Sequence, residues 1–117
     1  MQIISKSLIS SAIFVTLGLS AVASAQTCTL PNAPIIPDGN VASQDELLAA
    51  KDAFKAFESN IIDYRECLVE QENNVSPDSD TAETQKAAIL ALDDVSFERL
   101  KKVADEFNQA VRAFNAR

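Results

Sequence analysis

The sequence predicts an all-α fold: an antiparallel two-helix hairpin, coiled-coil-like, with an extended Pro-rich N-terminal arm stapled to it by a disulfide. Three observations carry that prediction. Two long stretches repeat apolar residues at spacings of three and four, without an internal glycine or proline. A short polar segment with a single proline, 72–80, separates them. Ahead of both lie three prolines at a spacing of three, and two cysteines, Cys28 and Cys67.

Each element follows in order. Residues 1–25 read as an export signal. Lys6 supplies a weakly positive start, Leu8 to Leu19 an apolar core, and Ala23-Ser24-Ala25 a small-x-small cleavage site, placing the cut before Gln26. The apolar run is shorter than the ~20 residues of a spanning helix. No lipid-anchoring pattern immediately precedes Cys28. The expected location is therefore the periplasm or the outside of the cell, after cleavage near Ala25. The remaining chain carries nine basic residues against 17 acidic, a net of −8. Such a surface disfavours nucleic acid and anionic membrane as partners.

In an oxidising compartment an even cysteine count points to pairing, so Cys28 and Cys67 are expected to form one internal bridge, with a link between chains or a reactive thiol as the alternatives. Residues 26–42 hold Pro31, Pro34 and Pro37, which suit polyproline II and exclude a helix interior. Leu30, Ile35 and Ile36 are more apolar than a free linker needs. Pro37-Asp38-Gly39-Asn40 signals a turn. The arm is expected to turn there and run back along the first helix. It would fill a groove of small residues, Ala49, Ala53, Ala56 and Asn60, up to Cys67. Ile35 and Ile36 should then both be more buried than Ile62.

The hairpin spans 43–117. Ser43 with Glu46 forms a capping box that opens the first helix, expected over 43–71. Its seam is Leu47, Ala50, Phe54, Phe57, Ile61, Tyr64 and Leu68. After the loop at 72–80 the second helix is expected over 81–115, starting near Pro77 or Thr81. Its seam is Ile89, Leu92, Ser96, Leu100, Val103, Phe107, Ala110 and Phe114, with Ser96 marking a stutter. The phenylalanines read as core. Leu48, Ile62 and Val69 fall outside the two-helix seam, where they either widen the core stripe or form an interaction stripe for a second copy or another protein.

Chemistry is sparse. The sequence has no histidine, the commonest general base and a common zinc ligand, and only two glycines, so no glycine-rich phosphate loop exists. Asp93-Asp94 are adjacent on a helix, diverge in direction, and read as a solvated face. Asp78-Ser79-Asp80 lacks the glycine and distal glutamate of a calcium loop. No catalytic residue, metal ligand or cofactor is expected, and the protein is not expected to be an enzyme.

The cysteine near Gln26, the prolines ending in Pro37-Asp38-Gly39, Ala42-Ser43 with Glu46-Leu47, Tyr64 with Cys67-Leu68, Phe107-Asn108 and the closing Phe114-Asn115-Ala116-Arg117 form one pattern. It resembles small, uncharacterised exported helical-hairpin proteins of proteobacteria. The resemblance covers most of the chain after the signal, rests on structural motifs, and implies a periplasmic location. The expected function is non-enzymatic, through protein–protein interaction. The alternative is a cell-envelope binder of small molecules or cations that uses the acidic surface.

Overall fold

A capping box at Ser43 launches the first helix. The Glu46 backbone N–H donates to Ser43 Oγ at 3.1 Å, and the Ser43 N–H donates to Glu46 Oε2 at 2.7 Å. That hydrogen bond from Ser43 also holds the Glu46 carboxyl below its usual pKa. The computed structural model describes residues 27–117. The expected export signal and its cleavage point lie outside the described residues. Helix α1 spans Gln44–Asn73 and helix α2 spans Ala82–Asn115; they pack together as a hairpin. At 1.5 Å per residue they are about 45 and 51 Å long. Among the described residues, neither helix is long and apolar enough to cross a membrane.

The connector, 74–81, is a chain of tight turns. Val75 N–H donates to the Glu72 carbonyl, Ser79 N–H to Ser76 and Ala82 N–H to Ser79, each at 3.1 to 3.2 Å. Pro77 sits in this connector rather than in the first turn of α2. Thr81 is the N-cap of α2, but its side chain makes no capping bond; Thr81 Oγ1 instead accepts from Gln85 Nε2 at 2.6 Å.

All seven predicted seam positions of α1 face inward: Leu47, Ala50, Phe57, Ile61, Tyr64 and Leu68 are buried and Phe54 is half-buried. On α2, Ser96, Val103 and Ala110 are buried, with Ile89, Leu100, Phe107 and Phe114 half-buried between them. Leu92 departs from the expected seam and is 44% exposed. Ser96, one turn on, is fully buried, and its hydroxyl donates to the Asp93 carbonyl at 2.7 Å. A hydroxyl satisfied within its own helix can occupy the seam without an unpaired polar group. Leu92, rotated about 40° from it, swings toward solvent.

Two apolar clusters share the load. Phe57, Ile61 and Val103 form the central one, with Phe54, Leu100, Leu30 and Ile36 against it. Ala42, Leu47 and Ala110 form the one at the base, with Ile36 and Phe114. The Phe54 and Phe107 rings stack across the helices with centroids 6.1 Å apart. Leu30 and Ile36 belong to the arm, so the arm is a third layer of the core.

Cys28 and Cys67 are bonded within the chain, with Cα atoms 5.8 Å apart, which closes the alternative of a link between chains for these two thiols. From that bond the arm takes a different course from the expected one. Ala49, Ala53, Ala56 and Asn60 stay exposed. The arm leaves α1 at Cys67, crosses over the central cluster, and reaches α2 at its turn. Gly39 lies against the Ala110 backbone so closely that a Cβ there would overlap the Ala110 carbonyl. Its φ is not positive, so glycine is needed here for proximity rather than conformation. The turn is held by Asp38, whose carbonyl accepts from Ala42 N–H at 2.9 Å and whose carboxylate accepts from Asn40 N–H at 2.9 Å. The Asn40 backbone bond keeps the Asp38 carboxyl below its usual pKa. Arg117 Nη1 donates to the Asn40 carbonyl at 3.1 Å and ties the C-terminus to the same turn.

The expectation that Ile35 and Ile36 would both be more buried than Ile62 is half corrected. Ile36 is half-buried, but Ile35 is 93% exposed against 50% for Ile62. The cause is the period of the arm. Cys28, Pro31, Pro34 and Pro37 are all half-buried, and Thr29, Asn32 and Ile35 are all exposed. Three residues per turn is the polyproline II repeat, and Ile35 falls in the register that faces away.

Candidate functional site

The arm covers one face of the hairpin. The opposite face, toward the connector, is open. There Ile62 and Val69 stand seven residues apart on α1, and Leu90 and Phe97 seven apart on α2; seven residues are two helical turns. All four are about half exposed, from 46% to 56%. Ile62, Val69 and Leu90 line a shallow open groove of about 400 Å³, floored by Leu68 and Ile89. Single exposed apolar residues are ordinary, but an aligned set on two neighbouring helices is a contiguous patch.

An ion pair crosses the groove. Arg65 Nε donates to Asp93 Oδ1 at 2.6 Å and Arg65 Nη2 to Asp93 Oδ2 at 3.2 Å, a two-pronged arrangement. The Arg65 guanidinium also stands 5.7 Å from the centre of the Phe97 ring. Its hydrogen bond holds the Asp93 carboxyl below its usual pKa, and the same bond raises that of Arg65. Both side chains are partly exposed, so the pair contributes at most about 1 kcal/mol to stability. What it does locally is fix Arg65 against Asp93 across the groove, between the apolar side chains of Ile62, Val69 and Leu90.

Of the residues singled out in the sequence, the structure brings Ile62 and Val69 together on the groove. Leu48 is half exposed on the same flank, but 14 residues before Ile62, about 21 Å along the helix, and outside the groove. The sequence reading missed Leu90, Phe97 and Arg65. Leu90 and Phe97 repeat at seven, one flank away from the α2 seam, which is the same signal that marked Ile62 and Val69 on α1. Asp93 and Asp94 together read as a solvated face in the sequence; the partner that distinguishes Asp93, Arg65, is 28 residues away. Among the described residues, no group of three or more His, Cys, Asp or Glu side chains lies close enough to share a metal ion.

No family model, curated protein or solved structure matches the chain.

Proposed function

We propose that this is a non-enzymatic helical protein of the periplasm that works by protein–protein interaction through the groove of Ile62, Val69 and Leu90, with Phe97 beside it against Arg65. The observation that carries the reading is the placement of these four half-exposed apolar side chains, two from each helix, on the face that the arm leaves open. An apolar patch shared by two rigid helices is a preorganised surface, ready for a third helix. The absence of histidine and of a glycine-rich loop in the sequence argues against a catalytic role. The internal disulfide suits an oxidising compartment, and the resemblance to small exported hairpin proteins points the same way.

Photo-crosslinking in cells that export the protein tests this. A photoreactive residue at Val69 or Leu90 is expected to give discrete adducts with a second polypeptide, and one at Ala53, exposed on the other flank, is expected to give none. Equal adducts from all three positions, or none from the groove, would overturn the reading.

A further inference from the structure

The groove lies in the acidic half of the molecule. From Ile62 to Phe97, across the connector, the chain carries nine carboxylates and two cations, a net of −7. The rest of the described residues carry eight carboxylates and seven cations, a net of −1. Nearly all of the negative charge of the described residues therefore lies in the half of the hairpin that holds this apolar groove. Of the two cations, Arg65 is already engaged by Asp93. Glu66 and Glu72 stand on the groove wall itself, beside Val69.

We infer that the groove receives a cationic amphipathic helix from a partner polypeptide, an inference that rests on the interaction reading above. Apolar side chains of that helix, spaced at three and four, would enter between Ile62–Val69 and Leu90–Phe97. Its lysines or arginines would flank them, against Glu66 and Glu72 on one wall and Asp94 beyond the other. The groove is about 10 Å long between Ile62 and Val69, matching two turns of a docked helix. A second copy of this chain is the poorer occupant. A two-fold contact about the groove would lay one half of charge −7 against another, and like charges brought together across an interface oppose docking. Acidic charge also speeds the encounter with a cationic partner, most strongly at low salt.

The test uses the oxidised protein and two labelled peptides of about four helical turns, one of leucine and lysine and one of leucine and glutamate in the same pattern, read by fluorescence anisotropy. The lysine peptide is expected to bind more tightly than the glutamate peptide by roughly tenfold or more, with affinity falling as salt rises. Ile62→Ser with Leu90→Ser should weaken it by roughly tenfold or more, because the apolar contact is lost. Both positions are half exposed, so the variant keeps its fold, which circular dichroism checks. Glu66→Lys with Glu72→Lys should bring the two peptides to similar affinity, and Leu48→Ser should change nothing. Equal binding of both peptides by the native protein would overturn the charge selection and leave the interaction reading standing. Sedimentation showing a dimer that Ile62→Ser with Leu90→Ser dissolves would assign the groove to a second copy and overturn the inference. Failure of a folded protein to bind either peptide would overturn it too, and the crosslinking experiment then decides the broader reading separately.

Discussion

Replacing Cys28 and Cys67 by serine is expected to lower the stability of the folded protein by about 4 kcal/mol. The bond joins residues separated by 39 positions, and closing a loop of that length removes about that much conformational freedom from the unfolded chain. For a domain under 100 residues this corresponds to a fall in melting temperature of roughly 20 °C. Two features make the loss larger in consequence than in size. A domain this small rests on a thin core, and total stabilities of about 5–15 kcal/mol leave little in reserve. The bond also anchors the far end of the arm, whose Leu30 and Ile36 complete the central cluster. Thermal unfolding followed by circular dichroism, with the native protein as reference, measures the effect. The reduced native protein should behave as the double variant does. A melting temperature within a few degrees of the native value would mean that Leu30, Ile36 and Gly39 hold the arm without the bond.

The second large effect comes from a pair of neighbours. Ile61→Ala is expected to destabilise by about 2–5 kcal/mol, because a fully buried side chain at the meeting point of α1, α2 and the arm leaves a cavity that its surroundings cannot fill. Ile62→Ala, one residue later, removes the same atoms from a side chain that is half exposed on the groove, and is expected to change stability by less than about 1 kcal/mol. Chemical denaturation of both variants measures the contrast. It also separates structure from function within two adjacent isoleucines: Ile61 holds the hairpin together, and Ile62 belongs to the surface proposed to bind a partner. Similar losses from both would place Ile62 in the core and remove the groove.

The hairpin was legible in the sequence because its signals are local. The Ser43–Glu46 box and the seam from Leu47 to Leu68 depend on spacings within one helix, and helical periodicity transmits them to the fold directly. The same holds for most of the α2 seam. The spacing places both Leu92 and Ser96 in the seam; Ser96 is there, its hydroxyl satisfied by the Asp93 carbonyl, whereas Leu92 is 44% exposed. The course of the arm was less legible. Its reach to Cys67 follows from chain length, but the choice of face depends on contacts between elements, such as Gly39 against the Ala110 backbone. The glycine read as a turn residue is also the point of closest approach. Three-residue periodicity is visible in the prolines, and it sets Ile36 and Ile35 in different registers of the arm.

The candidate site was half legible. Ile62 and Val69 stood out because they break the seam of α1 toward one flank. Their counterparts Leu90 and Phe97, and the Arg65–Asp93 pair between them, depend on the register of the two helices, which no spacing within one helix reveals. Leu48 shares the flank but not the groove, a distinction of distance along the helix rather than of direction.

The arm closes one face of the hairpin and leaves the other open. Hydroxyl-radical footprinting of the oxidised protein at low concentration, read by tandem mass spectrometry, tests it on pairs of like side chains. Ile62, Phe97 and Ile35 are predicted to be modified several-fold faster than Ile61, Phe57 and Ile36. Modification of Ile36 and Phe57 at the rates of Ile35 and Phe97 would contradict the claim, as would protection of Ile62 and Phe97 to the level of Ile61 and Phe57.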